Sequence, residues 1–125
     1  MEKSLSVKIP SRIQKHFKNS PEIDGEVEVF DGAMAVEETK RLRAWKELVW
    51  PKHLVCISED GRGGYFALDL SKITDGDCPV VYFDHELAEI DKKTGKIVPQ
   101  FEVAAKTFDA WVKRLKRGGS ALPPQ

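Results

Sequence analysis

The length, composition and charge of the chain exclude several classes of protein. A sequence of 125 residues that is 41% hydrophobic can bury one core, so we expect a single domain. Twenty basic and twenty acidic residues give a formal net charge of zero, which argues against a general nucleic-acid or membrane-surface binder. No signal peptide is recognisable and no apolar run approaches the roughly 18 residues of a membrane span, so we expect a cytoplasmic protein.

The chain begins with a polar stretch and a short helix. We expect residues 1–7 to be extended. Pro10 suits the first position of a helix, because its missing N–H has no partner there. Ile13 and Phe17 lie four residues apart and form the apolar edge of this helix, and Pro21 ends it.

The next segment predicts an edge strand and a second helix. Residues 26–30 alternate polar and apolar side chains, and Asp31-Gly32 supplies the turn that follows. Residues 36–49 return to helical spacing and stop before Pro51. The apolar stripe that we expect to face the core consists of Leu42, Trp45 and Val49.

Three apolar runs in the middle of the chain predict three strands of one sheet. They begin at Leu54, Tyr65 and Val80, and each is bounded by turn-forming residues. Glycines in residues 59–64 permit a tight reversal, so we expect the first two strands to form a hairpin. Asp69, inside the second strand, is predicted to accept hydrogen bonds from a neighbouring turn.

The end of the chain predicts a last strand, a closing helix and a tail. Residues 96–101 contain Pro99, which favours an edge strand. Thr107 suits the N-cap of a helix that ends at Gly118-Gly119. The apolar stripe of this helix consists of Phe108, Trp111, Val112 and Leu115.

These elements predict a single α+β domain over residues 1–117 and a disordered tail over residues 118–125. A mainly antiparallel sheet, over residues 26–101, carries an N-terminal helix, an inserted helix and a C-terminal helix packed on it. All three tryptophans are expected in the core; they are Trp45, Trp50 and Trp111.

No motif supports catalysis or a cofactor. The glycines of residues 61–64 precede a strand, whereas a phosphate-binding loop leads into a helix. Asp84 and His85 are adjacent on an extended chain and point to opposite sides, so we expect no metal there. Cys56 and Cys78 lack metal or redox spacing and are predicted to be buried free thiols. We therefore predict a protein that is not an enzyme and has no catalytic residue, cofactor or metal.

Two parts of the chain resemble the SUKH superfamily, which contains yeast cell-wall regulators and bacterial toxin immunity proteins. Asp60-Gly61 and Gly63-Gly64 stand before the stretch YFALDLS, which is followed by PVVYFDHE at residues 79–86. Ala104-Ala105 precedes the stretch TFDAWV of residues 107–112, which is similar to the closing helix of the family. Residues 8–17 are similar to its early segment, in which an apolar residue and a proline open a helix.

The resemblance implies an immunity protein that binds a cognate toxin, of nuclease or deaminase type, and blocks its active site. The alternative is a regulatory or scaffold protein that binds a cellular protein, as the yeast relatives do. An enzyme that uses Asp84, His85 and Glu86 is a remote third possibility. In each of the first two cases we expect a monomer that makes no direct contact with nucleic acid or membrane.

The distribution of charge indicates which surface would bind such a toxin. Residues 59–91 carry nine acidic and two basic side chains, and residues 92–125 carry eight basic and two acidic ones. Both segments can be solvated faces, but an acidic surface also attracts the positive cleft of a nucleic-acid-binding toxin. The predicted partner-binding residues are Asp60, Asp75, Asp77, Asp84, Glu86, Glu89 and Asp91.

Overall fold

The structure is a computed structural model that describes residues 1–19 and 27–124. The predictions that involve Pro21, Glu26 and Gln125 lie outside the described residues. The helices are α1 (Glu2–Leu5), α2 (Ser11–Asn19), α3 (Gly32–Ala44) and α4 (Phe108–Lys116). The strands are β1 (Glu28–Val29), β2 (Leu54–Glu59), β3 (Tyr65–Asp69), β4 (Val80–Phe83), β5 (Glu89–Ile90), β6 (Ile97–Val98) and β7 (Phe101–Ala105).

An antiparallel sheet forms the centre of the molecule, and the α+β prediction is confirmed. Its strand order in the described residues is β1-β2-β3-β4-β7, and every neighbouring pair is antiparallel. The predicted β2–β3 hairpin is present, and both of its strands begin at the predicted residues. Tyr65 pairs with Phe83 and Phe83 with Phe101, so the β2–β3 turn and the end of β4 lie at the same end of the sheet.

Helices cover both faces of this sheet. On one face, α2 and α4 contribute Ile13 and Trp111 to a cluster that includes Phe66 of β3. On the other face, α3 contributes Leu42 to a second cluster, which includes Ala67. Alternate residues of a strand point to opposite faces, so β3 is buried on both sides. Its sequence is therefore a nearly continuous apolar run.

The position of α3 corrects the prediction for residues 31–49. The Asp31 side chain accepts a 2.8 Å hydrogen bond from the Met34 N–H, so Asp31 caps the helix and is not part of a separate turn. The helix ends at Ala44, and Trp45 and Val49 are 41% and 45% exposed. The buried stripe instead consists of Ala35, Thr39 and Leu42.

A hydrogen bond to β2 accounts for this orientation of α3. The Thr39 hydroxyl accepts the Cys56 N–H at 2.9 Å, next to a register shift between Cys56 and Ser58. A bulge leaves strand groups without a ladder partner, and a buried hydroxyl can satisfy one of them. The prediction that Trp45 lies in the core is therefore wrong, whereas Trp50 and Trp111 are buried.

The ends of the chain differ from the prediction in two places. Residues 2–5 form α1 and are not extended, because Leu5 enters the core and its carbonyl accepts a 2.8 Å hydrogen bond from Arg43. The predicted strand over residues 96–101 is divided at Pro99. Its first part, β6, pairs only with β5 among the named strands, and its second part begins β7, an edge strand of the main sheet.

Other predictions from single residues are confirmed. Asp69 accepts hydrogen bonds from the N–H and the hydroxyl of Ser71, at 3.1 and 2.6 Å. Thr107 accepts the Ala110 N–H at 3.1 Å and caps α4, which buries the four predicted apolar residues. Cys56 and Cys78 are buried free thiols, and burial raises the pKa of each to about 12.

The segment after α4 folds back over this helix. Ala121 is fully buried, and its carbonyl accepts a 3.1 Å hydrogen bond from the Trp111 indole N–H. Arg114 donates a 2.7 Å hydrogen bond to the Ser120 carbonyl. Residues 120 and 121 thus contact the domain. The boundary after Arg117 stays a prediction, which truncation of the chain can test.

Candidate functional site

A cleft of about 480 Å³ opens at the end of the sheet where the β2–β3 turn meets the end of β4. The turn supplies one wall, and the residues that follow β4 supply the other. Its lining residues are Val27, Asp60, Arg62, Tyr82, Asp84, His85, Glu86 and Leu122. Acidic side chains outnumber basic ones, so the cleft presents a negative surface.

Three hydrogen bonds hold the side chain of Asp60 in this cleft. One of its carboxylate oxygens accepts the N–H groups of Arg62 and Gly64 at 2.8 and 2.9 Å. The other oxygen accepts the Tyr82 hydroxyl at 2.5 Å. An aspartate that bonds the backbone two residues further on stabilises a turn, so Asp60 both shapes the β2–β3 turn and joins it to β4.

The environment keeps Asp60 ionised and Tyr82 protonated. Partial burial opposes ionisation of Asp60, but hydrogen bonds from Tyr82, Arg62 and Gly64 outweigh it and lower the pKa of the carboxyl group. Burial, followed by the hydrogen bond to Asp60, raises the pKa of Tyr82 above its ordinary value. The negative charge of the cleft is therefore on Asp60, and the Tyr82 hydroxyl that donates to it stays protonated.

Two glycines allow the turn to approach β4 closely. A Cβ atom at Gly64 would lie 2.5 Å from Asp60 Oδ2 and would overlap the Tyr82 hydroxyl. A Cβ atom at Gly63 would lie 2.9 Å from the His85 ring, and the φ of Gly63 is +90°. The glycines that the sequence assigned to a hairpin turn thus also make room for the cleft residues.

A 3-10 helix over His85–Leu87 carries the second group of acidic side chains. Asp84 precedes it as the N-cap and accepts the Glu86 N–H at 3.0 Å. The Glu86 side chain is exposed and Asp84 is half-buried. Their carboxylates therefore face the solvent of the cleft, where a basic group can reach them.

The structure brings together only some of the predicted partner-binding residues. Asp60, Asp84 and Glu86 line the cleft. Glu89 and Asp91 are exposed on the β5–β6 hairpin, where Asp91 accepts the Lys93 N–H at 2.8 Å and shapes the turn.

Asp75 and Asp77 lie near the opposite end of β3 and β4, since they follow β3 and precede β4. Asp75 is exposed, with a φ of +52°. Asp77 is 5% exposed, and it accepts N–H groups of Cys78, Phe108 and Asp109 at 2.7, 2.9 and 3.3 Å. Its carboxylate is therefore occupied by the start of α4 and offers little to a partner.

Five lining residues are not among the predicted partner-binding residues. Tyr82 lies in the predicted strand that begins at Val80, and His85 lies in a stretch that was predicted as extended chain, but the direction of both side chains depends on strand register. Arg62 lies in the predicted turn and was counted only as a charge. Val27 and Leu122 come from distant parts of the chain, and no local pattern connects them with the cleft.

The arrangement of this cleft suits the binding of a basic group better than acid catalysis. Asp60 has a lowered pKa and accepts several hydrogen bonds, so it is a poor general acid. Within residues 1–19 and 27–124, no group of three or more His, Cys, Asp or Glu side chains could hold a metal ion. A negative concave surface of this kind suits arginine or lysine side chains of a protein partner.

Comparisons with known proteins identify the family. No curated protein and no solved structure matches the chain. No helix in the described part of the chain combines the length and the apolar character that a membrane crossing requires. The model of the SMI1 / KNR4 family (SUKH-1) matches residues 1–114, which include the N-terminal segment, the central strands and most of α4. The chain therefore belongs to the SMI1 / KNR4 family (SUKH-1).

Proposed function

We propose that this protein is an immunity protein that binds a cognate bacterial toxin through the acidic cleft and occludes the toxin's active site. Its family includes toxin immunity proteins and related regulators, which are typically not catalytic. In this proposal the toxin is a nuclease or a nucleic-acid deaminase. The protein acts as a cytoplasmic monomer and touches neither nucleic acid nor membrane.

The observation that supports this proposal is the hydrogen-bonded carboxylate of Asp60 beside the half-buried Asp84 and the exposed Glu86. A toxin that binds nucleic acid needs basic side chains at its active site, since these neutralise phosphates. Carboxylates that are already positioned can bind those side chains in place of phosphates, with little ordering required on binding. The cleft has the charge and the concave shape for this role.

The remaining acidic side chains have a different part in the proposal. Asp75, Glu89 and Asp91 are exposed and add to the negative field that accelerates encounter with a basic partner. Asp77 was predicted to contact the partner, but its side chain accepts hydrogen bonds from the start of α4, and the proposal does not use it.

A capture experiment separates immunity from regulation. The tagged protein is incubated with lysate of the organism that encodes it and washed at low and at high salt, and bound proteins are identified by mass spectrometry. A basic toxin domain that is released as salt rises supports the proposal. Recovery of only signalling or wall-assembly proteins contradicts it and favours the regulatory alternative.

A pair of charge reversals then tests the cleft itself. Glu86→Lys changes an exposed residue of the cleft, and Glu37→Lys makes the same change at an exposed position of α3. We expect Glu86→Lys to slow association with the captured toxin domain about tenfold at low salt and to reduce protection of co-expressing cells. Glu37→Lys should leave both unchanged. Equal effects of the two variants would contradict the assignment of the cleft.

A further inference from the structure

A groove with basic rims lies between α2 and α4, away from the acidic cleft. Its volume is about 300 Å³, and Phe108 and Val112 form its apolar floor. Arg12 and Lys15 of α2 border one side, and Lys116 of α4 borders the other. All three basic side chains are exposed, so their charged groups can reach a ligand in the groove.

Among the described residues, no ion pair neutralises the positive charges of this groove. In residues 1–19 and 27–124, the ion pairs within 4.0 Å join Arg41 to Glu38, His53 to Asp69 and Lys113 to Asp109. None of them involves Arg12, Lys15 or Lys116.

Two carboxylates also border the groove, but both are engaged elsewhere. Asp77 accepts the N–H groups at the start of α4, and Asp109 pairs with Lys113 at 2.9 Å. A dianion that enters between α2 and α4 would therefore meet more free positive charge than negative charge.

His16 lines the same groove. Its ring is half-buried, with its centroid 5.0 Å from that of Phe108 and 5.2 Å from that of Phe17. Burial, and then the charge of Lys116, lower the pKa of His16. Burial and the neighbouring Lys116 thus disfavour the protonated form of His16.

We propose that the groove between α2 and α4 binds a phosphate group, with Arg12, Lys15 and Lys116 as its ligands. The planar guanidinium group of Arg12 suits two oxygens of a phosphate, and the lysines contribute mobile positive charges. His16 gains a proton and donates a further hydrogen bond when the dianion is bound. The apolar floor accommodates the organic part of a phosphate ester.

Nuclear magnetic resonance titration of the whole protein tests the proposal with two probes. The His16 ring signal, assigned with the His16→Gln variant, is followed against pH in sodium phosphate and in sodium chloride of equal ionic strength. Charged groups that face His16 are Arg12, Lys15, Lys116, Asp77 and Asp109. We expect phosphate, and not chloride, to raise the pKa of His16 and to saturate.

The second probe is phenyl phosphate, which distinguishes two sources of the phosphate group. Tighter binding of phenyl phosphate than of inorganic phosphate supports a phosphate ester seated on Phe108 and Val112. Equal binding supports a site for the free anion. An identical response of His16 to phosphate and to chloride overturns the proposal.

Matched variants locate the ligands. Arg12→Gln should raise the dissociation constant for phosphate about tenfold, because it removes one close positive charge, and Lys116→Glu should raise it further, because it replaces a positive charge by a negative one. Lys92→Glu, on the exposed β5–β6 turn, should not change it. Circular dichroism of each variant establishes that it is folded. Unchanged phosphate binding in a folded Lys116→Glu protein overturns the assignment.

Discussion

The Tyr82 hydroxyl donates a 2.5 Å hydrogen bond to the Asp60 carboxylate and thereby joins residues that are 22 positions apart in the sequence. The bond connects the β2–β3 turn to β4 at the mouth of the acidic cleft. It holds the carboxylate in place and keeps its pKa low, together with the backbone N–H groups of the turn. Stability and the proposed binding surface therefore depend on the same contact.

Replacement of Tyr82 by Phe should lower the stability of the domain and weaken the proposed binding surface. The ring can stay packed against Phe66, whose ring centroid is 4.8 Å away, so the variant removes mainly the hydroxyl. We expect the free energy of unfolding to fall by about 1–2 kcal/mol, as for loss of one hydrogen bond to a charged group at a partly exposed site. Urea denaturation at pH 7 measures this change, and an unchanged midpoint would show that the bond contributes nothing.

The same variant has a predictable pH dependence. The pKa of Asp60 is lower in the folded protein than its ordinary value, so ionised Asp60 contributes stability above about pH 4. That contribution disappears as the pH falls through the lowered folded pKa. The stability difference between the wild type and Tyr82→Phe should therefore be constant from pH 5 to 7 and shrink below about pH 4. A difference that grows in acid would contradict this assignment of charge.

A pair of glycine variants tests the close approach of the turn. In Gly64→Ala the new Cβ would overlap the Tyr82 hydroxyl, so we expect a loss of about 1–3 kcal/mol and a rise in the pKa of Asp60. Gly61→Ala is the control, because Gly61 has a φ of +77° and open space around it. Its strain should reduce stability by about 1 kcal/mol without changing the pKa of Asp60. Carboxyl-carbon resonances followed against pH give both pKa values.

Much of the fold could be predicted because local signals and tertiary contacts agree. The apolar runs at Leu54, Tyr65 and Val80 have turn-forming residues on each side, and Thr107 marks the start of α4. The limits of α3 could not be predicted, since Trp45 and Val49 continue the helical spacing of Leu42 beyond the true end. There the chain leaves the helix, and Leu48 forms a bridge with Ile97, which no local pattern reveals.

The candidate site was predictable in composition and not in arrangement. Charge counts identified Asp60, Asp84 and Glu86, but only the pairing of Tyr65 with Phe83 places the turn of Asp60 beside Asp84. The same counts included Asp77, which is buried at the start of α4. A count of charges does not distinguish a carboxylate that caps a helix from one that faces a partner.

This distinction gives a prediction for Asp77. Asp77→Ala removes the acceptor for the Asp109 N–H and one of two acceptors for the Phe108 N–H, so we expect a loss of about 2 kcal/mol in the free energy of unfolding. Asp75→Ala, two residues earlier and exposed, should change it by less than about 1 kcal/mol. Thermal denaturation of the three proteins compares them. Equal stability of the two variants would show that Asp77 does not support α4.

Truncation tests the predicted domain boundary after Arg117. Removal of residues 118–125 takes away buried Ala121, the acceptor for the Trp111 indole N–H and an acceptor for Arg114. We expect the free energy of unfolding to fall by about 2 kcal/mol, because the buried indole N–H loses its partner and a small cavity opens beside it. Removal of only the last three residues keeps Ala121 and should leave stability unchanged. If the longer truncation is as stable as the full chain, the domain ends at Arg117 and the contacts of Ala121 contribute no stability.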